Sequence, residues 1–207
     1  MLAASTIIAV AHPQKWVDLL LRLVELLCEK KFKSKITEYV SREYFPIDET
    51  LIICKGKKAT EACAILYKRK GLYEKSIKQY IKVLDELSEN QIYYTLYLDP
   101  HVPFDNVATK NEHIRHFDNI ILAMVKICDK YGGRYGTESE TEALWLFAMK
   151  GLYQVSDRLR EKLGGHDEGD EDAEEIDKFD IFMLIRKQVF LSKLSEHVGL
   201  RRIFDFF

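Results

Sequence analysis

His113 and His116 are the residues whose type and spacing best fit a metal site. Residues three apart share one face of an α-helix, where two imidazoles can bind one metal ion. Glu112 and Asp118 are not spaced to join them on that face, and no cysteine lies alongside. We therefore predict two exposed histidines and no metal site.

An acidic run, Asp167 to Glu175, has the composition of a calcium loop but not its pattern. An EF-hand needs oxygen ligands at loop positions 1, 3 and 5 and a glycine at position 6. Counted from Asp167, position 3 is Gly169 and position 6 is Asp172. Because like charges repel, we expect a solvated, disordered acidic loop over residues 165–176.

Two basic clusters, Lys30 to Lys35 and Lys55 to Lys58, are candidates for phosphate or lipid-headgroup contact. Gly56-Lys57-Lys58 lacks the upstream glycine of a phosphate-binding loop, and the sequence has no GxSxG, HExxH or GxGxxG motif. We interpret both clusters as solvated helix ends. The predicted catalytic, cofactor and metal sites are therefore none, and the chain is expected not to be an enzyme.

The composition fits a folded helical protein. Hydrophobic residues make up 47% of 207 residues, and only 10 Gly and 4 Pro interrupt them. The net charge of −2 provides no basic field for nucleic acid. The four cysteines have no CxxC spacing, which favours reduced core thiols in a cytosolic protein over disulfides or metal ligands.

Apolar residues recur at the helical period along most of the chain. The first helix, introduced by Pro13, has one apolar face composed of Trp16, Leu19, Leu20, Leu23 and Leu27. Short helices follow from about residue 33 and from Pro46. The best-defined unit is a helical hairpin over residues 58–87, in which Gly71 ends the first helix in the left-handed conformation.

Residues 88–107 are predicted to form a loop, because Pro100 and Pro103 prevent a continuous helix. A long helix then runs through Ile114 to Cys128 and stops at Gly132-Gly133. Thr137 and Glu140 have capping-box spacing before a helix that ends at Gly164-Gly165. The last helix is predicted from Ile181, Leu184, Ile185, Val189 and Leu194, with a break near Gly199.

Repeated helix pairs of this kind predict an all-α protein, specifically an α-solenoid of stacked antiparallel helix pairs forming one segment over residues 1–207. A closed helical bundle is the alternative architecture. Apolar residues at both ends of the sequence suggest a segment of a longer protein.

Three stretches of sequence resemble one family. They are Phe45 to Cys54 with Ala59 to Ser76, then Glu142 to Phe147, and finally Leu194 to Phe204. Their order is similar to that of the clathrin-heavy-chain repeat in clathrin and in the vacuolar-protein-sorting subunits of the HOPS and CORVET tethering complexes, and the last stretch is closest to the CORVET branch. The repeat positions are occupied here by Glu61, Ala62, Leu66, Gly71, Tyr73 and Ser76.

The resemblance implies a non-enzymatic scaffold in vesicle-mediated protein transport. It implies other tethering-complex subunits as partners and a cytoplasmic location peripheral to endosomal or vacuolar membranes, with no nucleic acid and no small-molecule substrate. The β-propeller and RING domain of these subunits have no counterpart in this sequence, so Rab binding is not expected. The alternative is a tetratricopeptide-type peptide-binding adaptor, although no 34-residue recurrence is found.

Overall fold

The computed structural model describes residues 13–29, 33–89, 111–134, 138–163, 173–199 and 201–203. All regular structure in these ranges is helical, which confirms the all-α prediction. Thr137, Gly164-Gly165 and residues 90–107 and 165–172 of the two predicted loops lie outside the described ranges.

The chain divides into two compact units, Met1–Gln79 and Tyr80–Phe207. The boundary falls inside one helix, Tyr73–Leu87. One solenoid segment over residues 1–207 stays a prediction.

The first unit contains α1 (Pro13–Leu27), α2 (Lys33–Val40), α3 (Ile47–Gly56), α4 (Thr60–Arg69) and the first half of α5 (Tyr73–Leu87). Helix α1 packs on α2 and α3, and α4 packs on the same two helices. Each helix therefore packs on helices that are one or two places away in the chain. This local packing is how short helices, each marginal alone, bury their apolar faces.

Helices α4 and α5 form the predicted hairpin. Gly71 has φ +77°, and the Leu72 N–H donates to the Tyr67 carbonyl at 2.9 Å, closing the left-handed helix end known as a Schellman motif. Beyond the turn, the buried Ser76 hydroxyl donates to the Ala64 carbonyl of α4 at 2.7 Å. The left-handed Gly71 of the prediction is confirmed.

Helix α3 ends in the same way, but without a glycine. Lys58 takes the left-handed conformation at φ +54°, and the Ala59 N–H donates to the Cys54 carbonyl at 2.8 Å. Gly56, two residues earlier, is the last residue of the helix. An L-residue in this conformation costs about 1–2 kcal/mol.

Arg69 fixes the connection between α2 and α3. Its guanidinium donates to the carbonyls of Val40 at 2.9 Å, Glu43 at 2.9 Å and Phe45 at 3.1 Å. Burial lowers the pKa of Arg69, although the group stays charged because its ordinary value is so high. One side chain thus satisfies three carbonyls of an irregular segment.

The second unit contains the last half of α5 with α6 (Glu112–Arg134), α7 (Glu138–Leu163) and α8 (Ala173–His197). The predicted stop at Gly132-Gly133 is wrong, since α6 continues to Arg134; glycine lowers helix propensity by about 1 kcal/mol without forbidding the helix. The predicted acidic loop 165–176 is also too long. Helix α8 begins at Ala173, so residues 173–176 of the predicted loop are helical.

Helices α6 and α8 run parallel. Asp118 pairs with Arg186 and Asp129 pairs with His197, and each partner is 68 residues further along the chain. Helix α7 is antiparallel to both, since Lys187 lies over the Tyr153 ring and Arg202 pairs with Glu142. Helix α8 ends by Gly199, as predicted.

Candidate protein-interaction surfaces

The histidine pair lies at the start of α6. Asn111 Oδ1 accepts hydrogen bonds from the N–H groups of His113 at 2.8 Å and Ile114 at 3.4 Å, so Asn111 caps the helix. His113 is exposed and His116 is half-buried. Among the described residues, no three His, Cys, Asp or Glu side chains are grouped to hold a metal ion.

The second basic cluster lies where α3 ends. Lys55, Lys57 and Lys58 are exposed, and Lys55 Nζ lies 5.3 Å from the centre of the Tyr67 ring. Cations at a helix C-terminus complement the negative end of the helix dipole. Residues 30–32 of the first cluster lie outside the described ranges, and Lys33 and Lys35 belong to α2.

All four cysteines are free and buried, as predicted for core thiols: Cys28, Cys54, Cys63 and Cys128. Burial, with smaller contributions from neighbouring groups, raises the pKa values of Cys54 and Cys128 well above the ordinary range. A thiol reacts and binds metals as the thiolate, and burial favours the neutral thiol form of these two side chains.

Helix α8 carries three exposed apolar side chains. Leu184 is 55%, Ile185 43% and Val189 49% exposed. With Gln188, Leu191, Ser192 and Ser195 they cover one side of the helix from residue 184 to residue 195, a surface that we call the α8 stripe. It contains no charged residue.

The opposite face of α8 forms part of the core. Phe182 meets Phe117 of α6 edge-on, with ring centroids 5.4 Å apart, and Phe190 meets Trp145 of α7 at 5.1 Å. Met183 and Leu194 are buried beside them. A helix that is apolar on both faces is normally covered on both. In the described part of this chain only one face of α8 is covered.

Two polar contacts hold α8 against α6. The buried Arg186 guanidinium donates to both carboxylate oxygens of Asp118, at 2.9 and 3.2 Å, and to the Phe182 carbonyl at 3.2 Å. Three turns later, His197 Nε2 lies 3.2 Å from Asp129 Oδ1. These contacts fix the rotation of α8 and therefore the direction of the stripe.

A ring stack fixes the same end of α8 against α7. The His197 imidazole lies over the buried Trp145 indole, with centroids 5.2 Å apart and an interplanar angle of 14°. Trp145 Nε1 is buried without a hydrogen-bond acceptor among the described residues. Its position is therefore set by ring packing with Phe190 and His197.

Helix α1 has a second exposed apolar feature, in the first unit. Leu20, Val24 and Leu27 are buried, whereas Leu19 is 59% and Leu26 45% exposed. Leu19 and Leu26 are two turns apart on one side of the helix, and we call them the α1 pair. The apolar spacing places Leu19 with Leu20 and Leu27 on one face of the helix. Only part of that face is buried, and Leu19 lies outside the buried part.

The apolar spacing predicted a helix here but did not show which of its apolar residues face the core. Leu184, Ile185 and Val189 are exposed, and the buried Phe182, Met183 and Phe190 were missed. Residues 188–192 contain no charged side chain, and this pattern could have predicted a protein-binding surface on α8.

Searches among protein-family models, curated proteins and solved structures give no significant match. None of the described helices combines the length and apolarity needed to cross a bilayer.

Proposed function

We propose that this chain is a non-enzymatic helical scaffold whose exposed apolar helix faces bind other proteins. Its setting is a membrane-tethering complex of endosomes or vacuoles, where it acts in vesicle-mediated transport from the cytoplasmic side. The observation that carries the proposal is the α8 stripe, an uncharged apolar surface held in place by Arg186 and His197. Exposed apolar patches of this kind are typical of protein-binding sites.

The pattern of helix packing supports a scaffold of stacked helix pairs. Within each unit, the substantial contacts join helices that are one or two places apart in the chain. Solenoids are built from such nearest-neighbour contacts, and they present extended surfaces to partners.

The residues behind the family resemblance have packing roles that fit a helical repeat. Ala62 and Leu66 are buried in α4, Gly71 makes the turn, and Ser76 bonds back across the hairpin. In the later stretches, Trp145 and Leu194 are fully buried. The tethering-complex setting rests on this resemblance.

The helix lengths favour this proposal over a tetratricopeptide-type adaptor. Helices α2 to α4 have 8, 10 and 10 residues, whereas α6 to α8 have 23, 26 and 25. A 34-residue repeat of two equal helices does not produce this change in length.

Affinity purification of the tagged chain from its native cells tests the proposal. We expect HOPS or CORVET subunits to co-purify with the unchanged chain. A double variant, Leu19→Glu with Leu26→Glu, or the single variant Ile185→Glu should reduce their recovery at least about tenfold, because a buried charge costs more than 1.4 kcal/mol. Glu49→Gln, an exposed change in α3, serves as the matched control.

Recovery of no tethering subunit with the unchanged chain would contradict the proposal. Recovery that is insensitive to all three glutamate substitutions would contradict the assignment of the binding surfaces. Circular dichroism and a thermal melt of each variant establish that it is folded.

A further inference from the structure

We propose that one end of the first unit binds the surface of an anionic lipid membrane. We call this surface the basic end; it consists of Lys35, Ile52, Lys55, Lys57 and Lys58, all of which are exposed. The lysines attract lipid phosphates, and the isoleucine enters the membrane interface. The inference goes beyond the proposed function, because it requires no other tethering subunit.

The fold brings together two basic clusters that are separate in the sequence. The thiol of Cys28, just beyond α1, and that of Cys54, near the end of α3, are hydrogen-bonded to each other. Helix α2 begins at Lys33, five residues after Cys28, so its start is at most about 18 Å from that point. At the other ends of α2 and α4, Arg69 donates to the Val40 carbonyl at 2.9 Å. The start of α2 and the end of α3 therefore lie at the same end of the unit.

Positive charge is in excess at this end, although the whole chain has a net charge of −2. Residues 28–29, 33–35 and 54–61 include five lysines and two glutamates. Lys57 and Lys58 are exposed, and neither has an ion pair or a ring contact in the part of the chain that the structure describes. An anionic surface can therefore approach these two lysines without first breaking salt bridges.

The backbone conformation of Lys58 is a second observation that indicates a ligand. Its φ of +54° is a conformation that suits glycine and strains a residue with a side chain. Strained residues of this kind are concentrated at functional sites. Since no contact of the Lys58 side chain within the described ranges offsets the strain, an anion outside the chain is the partner that explains a lysine here.

Ile52 favours a lipid surface over a soluble anion. It is 71% exposed, more than any other large apolar side chain in the described ranges. It lies one turn before Lys55 and Gly56 on the same side of α3, so a surface that covers the end of the helix also reaches it. Lysine stems extend over an apolar layer while their charges stay at the phosphates. Inorganic phosphate and polyglutamate provide no apolar surroundings for Ile52.

The acidic residues of α3 confine the contact to this end. Asp48 pairs with Lys70, and Glu49 is exposed one turn before Ile52. A membrane lying along the whole helix would meet the Glu49 carboxylate, whereas a membrane across the end of the helix meets lysines. The contact is therefore small. Each lysine near an anionic surface strengthens binding about fivefold, so the affinity depends on charge and on salt.

Co-sedimentation of the full chain with vesicles tests the proposal. Phosphatidylcholine vesicles that contain about 30% phosphatidylserine supply the anionic surface. They should bind the unchanged chain at least about tenfold more tightly than vesicles of phosphatidylcholine alone. Binding should weaken as the ionic strength rises from about 0.05 to about 0.5 M, because salt screens the attraction.

The lysines are tested by removing charge while keeping the side-chain stems. Lys57→Gln with Lys58→Gln should bind the anionic vesicles about thirtyfold more weakly, and Lys57→Arg with Lys58→Arg should bind like the unchanged chain. The matched control is Lys75→Gln with Lys78→Gln, since both of these lysines are exposed on α5. This control removes the same charge and should leave binding unchanged.

Lys58→Gly separates binding from folding. It relieves the left-handed L-residue, so the chain should be at least as stable as before, and yet vesicle binding should weaken about fivefold. Loss of structure therefore cannot explain the weaker binding. A Lys58→Gly variant that is stable and binds with unchanged affinity would show that Lys58 does not touch the membrane.

Ile52→Gln tests the apolar part of the contact. It should weaken binding to anionic vesicles about tenfold, because the isoleucine no longer leaves water. Leu122→Gln, which replaces an exposed leucine of α6, is the control and should have no effect. Vesicle binding that is insensitive to Ile52→Gln would overturn insertion at the basic end.

Vesicle binding that does not require phosphatidylserine, or that survives the double lysine-to-glutamine change at residues 57 and 58, overturns the proposal. Binding to polyglutamate and not to anionic vesicles also overturns it and assigns the basic end to an acidic protein. A chain that captures tethering subunits but binds no vesicle retains the proposed function without this surface. A chain that binds vesicles through the basic end but captures no subunit retains the membrane surface, and the proposed function fails.

Discussion

Gly151, in the middle of α7, lies against the side chain of Ile81 on α5: a Cβ on Gly151 would be 2.0 Å from Ile81 Cδ1 and 2.6 Å from Cγ1. Contacts this short do not occur between real atoms, so any larger residue must displace Ile81. Glycine is unfavourable inside a helix by about 1 kcal/mol relative to alanine. At this position the absence of a side chain allows α5 and α7 to approach closely.

Gly151→Ala should therefore destabilise the chain by about 1–2 kcal/mol, since overpacking outweighs the gain in helix propensity. Chemical denaturation followed by circular dichroism measures the change. Ile81→Ala removes the clashing atoms, so the double variant should be less destabilised than the sum of the two single variants. Gly56→Ala, where nothing lies within 4 Å, is the control and should not destabilise. A strictly additive double variant would show that the two residues are not in contact.

Helices α3 and α4 both end in a left-handed residue, and this gives a second prediction. A substitution at the first of these residues should stabilise the chain, and a substitution at the second should destabilise it. Lys58 and Gly71 both have positive φ, at +54° and +77°. Lys58→Gly should stabilise by about 1 kcal/mol, because it relieves a left-handed L-residue. Gly71→Val should destabilise by at least about 1 kcal/mol, since a β-branched residue is strained there although the space is open. Thermal melts measure both; a Lys58→Gly variant no more stable than the unchanged chain would argue against strain at this turn.

The hairpin shows what the sequence can predict. Apolar spacing and Gly71 placed it at residues 58–87, and the helices occupy Thr60–Arg69 and Tyr73–Leu87. Both signals are local: periodicity reports which side of a helix is apolar, and glycine marks a left-handed end. Because α4 and α5 are adjacent in the chain, local signals are sufficient for them.

The remaining features depend on contacts that one sequence does not specify. Helix α8 is apolar on both sides, so periodicity could not determine whether Phe182 or Leu184 is buried. The left-handed position after α3 is occupied by Lys58, a residue type that does not mark such a position in a sequence. Asp118 was considered only as a possible metal ligand, whereas its partner is 68 residues away in α8.

Removing Asp118 and removing Arg186 should lower the stability of the chain by different amounts, although the two residues form one ion pair. Arg186 is nearly fully buried, whereas the Asp118 side chain is 42% exposed. Asp118→Ala leaves a buried cation without its carboxylate and should cost about 2–3 kcal/mol. Arg186→Met keeps the apolar stem and leaves Asp118 able to reach water, so it should cost about 1 kcal/mol less.

Urea denaturation of both single variants and of the double variant measures this asymmetry. The double variant should be more stable than Asp118→Ala alone, because it contains no buried cation. Equal losses in the two single variants would show that the burial of Arg186 does not determine the energy of the pair.

The buried thiols make stability fall at alkaline pH. Burial, and to a lesser extent the charge of Asp129, raises the pKa of Cys128 in the folded chain, whereas an unfolded cysteine titrates near 8.5. Below that value the thiol is protonated in both states, and its contribution is fully present. Above it only the unfolded chain ionises, so the free energy of unfolding falls by at most about 1.4 kcal/mol per pH unit for this group.

Urea denaturation from about pH 7.5 to about pH 9.5, on either side of the unfolded thiol pKa, measures the effect in the unchanged chain and in Cys128→Ala. The variant is less stable at every pH because of the cavity, but its stability should depend less on pH. The gap between the two chains should therefore narrow as the pH rises. A gap that stays constant would mean that Cys128 ionises equally in the folded and unfolded states, and hence that its thiol reaches water in the folded chain.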